Sequence, residues 1–398
     1  MLTKRVSHSE ITILRVIEYV NKNGPVARSK IARDLQLSKA TITQIVRRLQ
    51  DDGLVQEVEQ ALESRRTSGR RPMPIQLNPQ SGLVLGVDLS SAKVGSVAVD
   101  MSLTPKLRLE FGPLSDRIEQ TLDQTLRSVL DGMLMTLGPS KSLVQGIGVA
   151  VRGLNYLPDS DVPEGLLNLE EQSKLVEAME TRYQVPVLVV HNINALLVAE
   201  MLDYQQDHLS SILLHIGEGV SGAIWIDGDA WVGSHLAAGE WGHVPIDSDG
   251  PLCACGNRGC FETRYSIPAI VARVRAEDAN IQTWEHVVER MDEDNVRAIL
   301  NELASAAVAV LAGAVALIDP ARIIVQGPIL DVAPVFLPMF REQLTRSILP
   351  KTRRSVVVAP TIVGADAAAL GASYLMVGDA LARMVHKWVA TSESLACQ

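Results

Sequence analysis

Three of the four cysteines in this 398-residue sequence lie within eight residues, at positions 253, 255 and 260. His243 stands ten residues before Cys253, which gives the pattern H-x9-C-x-C-x4-C. Three thiolates and one imidazole can close a tetrahedron around Zn²⁺, and glycines in the loop permit the tight turns that such a site needs. A catalytic zinc keeps one coordination position open. Four protein ligands, His243, Cys253, Cys255 and Cys260, therefore predict a structural zinc.

Disulfide bonds are the alternative use of these cysteines. The first residues are polar and charged and lack the apolar core of a secretory leader, so we expect a reducing, cytoplasmic location. Cys253 and Cys255 are also separated by one residue. Metal binding is favoured on both grounds, and Cys397, which is remote from the cluster, is expected to be a free thiol.

A second chemical pattern occupies the first 80 residues, which we call the head. Apolar residues at helical spacing predict helices at 10–23, 28–35 and 39–51. Gly24 and Pro25 end the first helix, and the Ser38 hydroxyl can cap the third. Three helices in this order, followed by two short strands, predict a winged helix-turn-helix.

The outer face of the third helix is polar and basic. With its cap it offers donors for base edges or phosphates: Ser38, Lys39, Thr41, Thr43, Gln44, Arg47 and Arg48. We expect the residues up to Gln44 near bases and the two arginines near phosphates. The wing strands are expected at 55–58 and 75–77, and Arg70 and Arg71 between them can enter a minor groove. DNA binding is predicted, with a solvated three-helix bundle as the alternative.

The charge distribution favours a polyanionic partner for the head alone. Residues 1–72 contain 14 Lys and Arg against 8 Asp and Glu, whereas the remainder contains 23 against 38. We expect no membrane insertion, because no uninterrupted apolar run approaches the roughly 20 residues needed to cross a bilayer.

Beyond the head, short apolar runs alternate with helical patterns. Strands are expected at 83–88, 94–99, 146–151, 187–191, 211–216 and 222–226, and helices at 117–135, 195–204, 301–318 and 366–377. This alternation is typical of an α/β protein whose sheets are covered by helices.

Two stretches resemble the signature of the ROK family, which comprises sugar kinases and sugar-responsive transcriptional repressors. They match its E-x-G-H and C-x-C-G-x-x-G-C-x-E motifs and are the stretches Gly239-Glu240-Trp241-Gly242-His243 and Cys253-Ala254-Cys255-Gly256-Asn257-Arg258-Gly259-Cys260-Phe261-Glu262. The head and the stretch 364–372 are similar to the repressor branch, so the resemblance covers essentially the whole chain.

The resemblance implies an α/β fold in which a winged helix-turn-helix is followed by two ribonuclease-H-like, actin-like ATPase lobes with a sugar in the cleft. We place the head at 1–80, the first lobe at 81–195 plus 378–398, and the second lobe, with the zinc loop and a dimerisation surface, at 196–377. Glu240, His243 and Glu262 match the family's sugar-contacting positions, and the Asn192 amide is expected to hydrogen-bond a sugar hydroxyl group. The alternative for the two glutamates is a loop or salt-bridge role.

Three departures from the family's kinases concern phosphoryl transfer. The kinases have a general base in an N-D-x-N-A motif, and here Asn192 stands at the Asp position and lacks basicity. Their phosphate loop D-x-G-G-T is replaced by a stretch with Ser90 and Ser91, and Pro328 removes an amide donor after Gly327. A G-x-G-x-x-G at 217–222 persists, but a turn explains it equally well. We therefore expect no kinase activity.

The sequence thus predicts a DNA-binding transcriptional regulator, a repressor of sugar uptake or catabolism genes. Its expected partners are operator DNA, a sugar or sugar derivative, and further copies of itself in a homodimer or dimer of dimers. Two alternatives stay open at this point. One is an ATP-dependent sugar kinase with an added DNA-binding head, and the other is a regulator controlled by a protein partner such as a transport-system component.

Overall fold

The computed structural model describes residues 8–58, 73–90, 93–113, 121–152, 154–155, 167–204, 209–353 and 355–396. Its residues fall into two compact units. The first unit contains residues 1–151, 170–190 and 369–398, and the second contains 152–169 and 191–368. The head belongs to the first unit. The lobe boundaries placed at 195/196 and 377/378 stay predictions.

Three helices and a two-stranded ribbon build the head. They are α1 (His8–Asn23), α2 (Arg28–Asp34), α3 (Lys39–Asp51), β1 (Val55–Glu57) and β2 (Ile75–Leu77), and the two strands pair antiparallel. The Ser38 hydroxyl accepts a hydrogen bond from the Thr41 amide at 3.0 Å, so α3 begins at the predicted cap. Ile42, Val46 and Leu49 are fully buried at helical spacing. The predicted winged helix-turn-helix is confirmed in its element order.

A five-stranded sheet forms the body of the first unit. Its strands are β3 (Leu83–Asp88), β4 (Lys93–Asp100), β5 (Pro105–Pro113), β6 (Val144–Val151) and β9 (Val187–His191), with α4 (Leu122–Leu137) and α5 (Leu169–Tyr183) in the connections. The strand order is β5-β4-β3-β6-β9, with β3, β4 and β5 antiparallel and β6 parallel to β3. The two-residue strands β7 (Leu154–Asn155) and β8 (Leu167–Asn168), which belong to the second unit, pair with each other.

The second unit contains a sheet with the same strand order. Its strands are β10 (Ser211–Ile216), β11 (Val220–Ile226), β12 (Asp229–Ala230), β13 (Arg322–Gln326) and β14 (Val357–Pro360), in the order β12-β11-β10-β13-β14. In both sheets the first three strands are antiparallel and the fourth is parallel to the first. This repeated order is that of two ribonuclease-H-like lobes, which confirms the predicted fold class.

Eight further α-helices lie in the described residues. They are α6 (Asn192–Asp203), α7 (Phe261–Tyr265), α8 (Ile267–Glu277), α9 (Trp284–Glu289), α10 (Asp294–Ile318), α11 (Ala333–Ser347), α12 (Pro350–Arg353) and α13 (Ala367–Ala396). By length and composition α10 could cross a membrane, but ten of its side chains are buried in the core of the second unit. Helix α10 is therefore buried as a core helix of the second unit.

Helix α13 is much longer than the predicted helix at 366–377, and this expectation was wrong. The prediction ended before Gly378, but that glycine lies in open space inside the helix. One glycine costs a helix only about 1 kcal/mol. Ala380 and Leu381 resume the buried face beyond it, so burial outweighs the penalty.

Helix α13 approaches the first sheet at glycines. A Cβ atom on Gly86 would lie 2.0 Å from the Ala369 carbonyl oxygen, and one on Gly148 would lie 2.2 Å from the Ala372 carbonyl oxygen. The buried face of α13 continues from the sheet into the head. Met376 and Leu381 share one hydrophobic cluster with buried residues of α1, α3 and β4. The head and the C-terminal helix therefore have a common core.

We expect Gly86→Ala to destabilise the first unit by about 1–3 kcal/mol, because the added methyl group overlaps helix backbone that cannot give way locally. Gly378→Ala is the matched control in the same helix. Its added methyl group meets nothing within 4 Å, so the control should be neutral or slightly stabilising. Urea unfolding of both variants measures the difference, and equal midpoints would contradict the close approach of α13.

Candidate metal and sugar site

The four predicted metal ligands converge in the second unit. The ligand atoms of His243, Cys253, Cys255 and Cys260 all lie within 4.8 Å of one another, and we call these residues the metal cluster. Cys255 Sγ is 3.6 Å from Cys260 Sγ, and Cys253 Sγ is 3.5 Å from His243 Nδ1. Around a tetrahedral ion with zinc-like bond lengths, the sulfur–sulfur edge is about 3.8 Å and the sulfur–nitrogen edge about 3.6 Å. The donors are therefore spaced as a tetrahedral metal site requires.

The loop that carries the cysteines depends on glycine. Gly256 and Gly259 have φ values of +90° and +61°, in the left-handed region. A Cβ atom on Gly259 would lie 1.5 Å from the Asp247 carbonyl oxygen, so no other residue fits there. The Cys253 amide donates to the Asn257 carbonyl at 2.8 Å and closes the turn.

The protonation state of the buried thiols depends on a cation. Burial and hydrogen bonds with Cys255 and Cys253 raise the pKa of Cys260 to about 12. A divalent cation reverses this preference, because thiolates are the form that ligates metal and binding releases their protons. The donor set thus fits a metal ion in its chemistry as well as in its spacing.

The predicted sugar-contacting residues Glu240 and Glu262 lie on opposite sides of the His243 ring. Glu262 Oε1 is 3.7 Å from Nδ1, the nitrogen that faces Cys253, and Glu240 Oε2 is 4.0 Å from Nε2. Burial and the neighbouring Glu262 charge raise the pKa of Glu240, against the opposing effect of His243. The imidazole can therefore ligate metal through Nδ1 and keep Nε2 for a carboxylate or a hydroxyl group.

Glu262 also has a structural contact that the sequence did not predict. Its Oε2 atom accepts a hydrogen bond from the Val220 amide at 3.1 Å, at the start of β11. This bond joins the metal loop to the turn that contains the G-x-G-x-x-G pattern. The loop role named as the alternative for Glu262 is thus present, alongside its place beside His243.

Asn192 lies at the first residue of α6, three residues earlier than the predicted helix start. The preceding His191 is the N-cap residue, and burial lowers its pKa to about 4, so its imidazole is neutral at pH 7. Helix α6 packs against β11, whose first residue bonds Glu262. An asparagine amide at this position can hydrogen-bond a hydroxyl group but cannot take its proton.

Two of the stretches compared above with nucleotide-binding elements, the one that begins at Asp88 and the glycine-rich turn at 217–222, have structural explanations here. Asp88 is 2% exposed, and its carboxylate accepts hydrogen bonds from the Ser90 amide at 2.8 Å and the Ser90 hydroxyl at 2.5 Å. In the glycine-rich turn, a Cβ atom on Gly222 would lie 2.1 Å from the Trp241 ring. The Gly217 amide bonds back to the Gly219 carbonyl at 2.9 Å. Packing and turn formation account for these glycines without a nucleotide.

The predicted DNA-reading residues line the outer face of α3. Lys39, Thr43, Gln44, Arg47 and Arg48 are exposed, and Thr41 is partly buried. The Thr43 hydroxyl donates to the Lys39 carbonyl at 2.7 Å, so in the free protein this donor is used within α3. Arg70 and Arg71 lie outside the described residues.

Sequence reasoning missed the buried acid of α6. Glu200 is 0% exposed and bonds residues about 160 positions later in the chain. The signal was available in part: Glu200 is a single charged residue in an otherwise apolar helical stretch, 195–202. A lone acid on a buried helix face needs internal partners, but the sequence could not name them.

The fold and the site together define a winged helix-turn-helix protein with actin-like ATPase lobes and a cluster of one histidine and three cysteines that could hold a metal ion. The comparisons agree with this class. Residues 10–56 match the family model described as winged helix-turn-helix DNA-binding, and residues 84–378 match the ROK family model. The chain belongs to the ROK family.

Two curated relatives are similar to the chain over most of its length. The N-acetylglucosamine repressor of Escherichia coli O157:H7 is 28% identical over 357 residues, which is 86% of this chain and 86% of the relative. The xylose repressor of Bacillus spizizenii is 25% identical over 366 residues, which is 91% of this chain and 94% of the relative.

Solved structures share the fold. A ROK family transcriptional regulator, described as a homologue of the E. coli MLC protein, superimposes with a TM-score of 0.74 at 23% identity and covers 95% of this chain and 98% of its own. A ROK glucokinase from Streptomyces griseus, solved with glucose and AMPPNP, gives a TM-score of 0.56 at 24% identity and covers 74% of this chain and 99% of its own. The regulator therefore spans more of this chain than the kinase does.

Proposed function

We propose that this protein is a sugar-responsive transcriptional repressor that controls genes of sugar uptake or catabolism. One observation carries the proposal: a winged helix-turn-helix head is joined to a kinase-like fold in which the base position is Asn192, while Glu240, His243 and Glu262 lie together. The relatives named as repressors of N-acetylglucosamine and xylose support a carbohydrate as the effector class.

The metal ion in this proposal is a structural Zn²⁺ held by the metal cluster. Zinc would fix the loop and orient the His243 ring through Nδ1, which leaves Nε2 toward Glu240 for sugar recognition. The two carboxylates accept hydrogen bonds from sugar hydroxyl groups, and the Asn192 amide can both donate and accept. The same residues therefore support binding of a sugar without transfer of phosphate.

The loss of kinase activity rests on two residues. Asn192 has no basicity to activate a hydroxyl group, and Ser90 stands where the kinases have a phosphate-loop glycine and donates through its amide and its hydroxyl to Asp88 Oδ1. The remaining proposals are cytoplasmic location without membrane insertion and assembly into a homodimer or dimer of dimers. Paired heads suit paired half-sites in an operator. Arg70 and Arg71 of the wing would reach the minor groove.

The test is operator binding at fixed salt, with and without N-acetylglucosamine, xylose or glucose, each offered free and as its phosphate ester. We expect one of these sugars to weaken operator binding about 5- to 150-fold, the usual range for coupled sites. Glu240→Gln should reduce this response and leave sugar-free operator binding unchanged. If no sugar shifts operator binding while a transporter domain does, control by a protein partner replaces the sugar.

A coupled assay with ATP and the same sugars tests the enzymatic alternative. We expect no turnover above background. Sustained turnover that disappears in Asn192→Ala would contradict the proposal and establish a sugar kinase with a DNA-binding head.

A further inference from the structure

The carboxylate of Glu200 is buried and bonded to a distant segment of the second unit. It accepts hydrogen bonds from the Thr361 hydroxyl at 2.5 Å, the Ile362 amide at 3.1 Å and the Tyr204 hydroxyl at 3.4 Å. Glu200 lies in α6, and Tyr204 follows the last residue of that helix. The donors Thr361 and Ile362 belong to residues 361–366, which we call the linker. The carboxylate thus ties α6 to the linker.

Both tied segments lie next to points where the chain passes between the two units. The chain leaves the first unit after residue 190 and enters α6 at Asn192, and it returns to the first unit after residue 368, beyond the linker. The chain passes between the units four times. The Glu200 carboxylate therefore joins two segments of the second unit that each lie next to one of these passages. Crossing segments are where backbone changes accompany motion between units.

Each tied segment leads to a functional element. Asn192, at a predicted sugar-contacting position, begins the helix that carries Glu200 eight residues later, about 12 Å along the helix axis. The linker leads into α13, which contacts the first sheet at Gly86 and shares buried residues with the head core. A displacement of α6 would therefore pass through the linker to the helix that supports the head.

Stability alone does not account for this arrangement. A buried carboxylate is costly to desolvate, and an apolar side chain of similar size is often as stabilising or more so. What the carboxylate adds is a fixed geometry, because three donors hold it in one orientation between the two segments. The neighbouring Thr361 amide also bonds the Val325 carbonyl at 2.8 Å, so the start of the linker is anchored to β13.

We propose that Glu200 is a positioning residue that couples sugar binding to the DNA-binding head, by joining α6 to the linker that precedes α13. This inference rests on the proposed function and adds the route by which occupancy of the sugar site changes the head. Glu200 contacts neither sugar nor DNA in this role.

The experiment measures the sugar-induced change in operator affinity of the full-length protein, by fluorescence anisotropy at fixed salt. The probe is the sugar from the panel above that changes the operator affinity of the wild-type protein. Thr361→Val removes one donor to Glu200, together with the 3.4 Å bond that the hydroxyl accepts from the Val363 amide, and keeps the side-chain shape and the backbone bond to Val325. Thr352→Val is the matched control, because its hydroxyl also donates to a carboxylate in the second unit, Asp319, at 3.2 Å.

In Thr361→Val we expect the sugar-induced change in operator affinity to fall at least about fivefold. The sugar affinity measured by calorimetry and the operator affinity without sugar should both stay within about twofold of wild type. Thr352→Val should keep the full change. Glu200→Gln is the second variant, since one amide oxygen cannot serve all three donors, and it should lose coupling in the same way. A purely structural role would lower thermal stability in both threonine variants without altering the coupling of either.

Two results overturn the inference while leaving the proposed function intact: Thr361→Val and Glu200→Gln both keep the wild-type response, or Thr352→Val loses as much as Thr361→Val. A different result is that no sugar changes the operator affinity of the wild-type protein. It rejects the proposed function itself, and the coupling route with it.

Discussion

Cys260→Ser is expected to abolish metal binding and to destabilise the second unit. Cys260 is fully buried, lies 3.6 Å from Cys255 Sγ and is the N-cap residue of α7. Its loss leaves three ligands, and structural zinc sites contribute on the order of 10 kcal/mol of apparent binding free energy at neutral pH. Elemental analysis should fall from about one zinc per chain to nearly none. The melting temperature should fall by on the order of 10 °C.

Cys397→Ser is the control for this experiment, since it removes a thiol remote from the cluster in sequence. It should keep both the metal content and the melting temperature. Chelation should lower the melting temperature of the wild-type protein as Cys260→Ser does. Added zinc should then restore the melting temperature of the wild-type protein but not that of the variant. The metal site is rejected if the wild-type protein is purified without zinc and added zinc does not change its melting temperature.

Loss of the metal should also weaken sugar binding. The His243 ring lies between Cys253 and Glu240, and Glu262 is 3.7 Å from both His243 Nδ1 and Cys253 Sγ. A mobile loop would misplace all three groups that are proposed to recognise hydroxyl groups. The sugar response and the zinc content should therefore decline together in a chelator titration.

The metal cluster and the head were predictable from the sequence because their determinants are local. The four ligands lie within 18 residues, and loop glycines restrict how the chain between them can turn. In the head, helical spacing and the Ser38 cap fix α3, and the structure has the predicted bounds. Local patterns of this kind depend on neighbours in the chain, which a sequence displays directly.

The contacts that the sequence could not supply are long-range. Glu200 bonds a hydroxyl group 161 positions away, and nothing near Thr361 marks it as a partner. The extent of α13 beyond Gly378 was missed because the burial of Ala380 and Leu381 depends on the head core. Glu262 was predicted from a resemblance as a sugar contact, and its bond to Val220 became visible only with the turn in place.

The base and phosphate contacts proposed for the outer face of α3 should respond differently to salt, because only phosphate contacts release counterions. Gln44 and Arg47 are both exposed on α3, and we propose a base contact for the first and a phosphate contact for the second. Gln44→Ala should weaken operator binding by about 1–3 kcal/mol per head and leave non-specific DNA binding unchanged. It should not change the salt dependence.

Arg47→Ala should weaken binding to operator and non-specific DNA alike. It should also lower the slope of log K against log salt concentration by about 0.9 per head, because one phosphate is no longer neutralised and one set of counterions is no longer released. Arg346→Ala is the control: it removes the same charge from an exposed helix position outside the head and should change neither slope nor affinity. If Arg47→Ala and Arg346→Ala behave alike, Arg47 does not contact a phosphate, and the phosphate contact proposed for it is rejected.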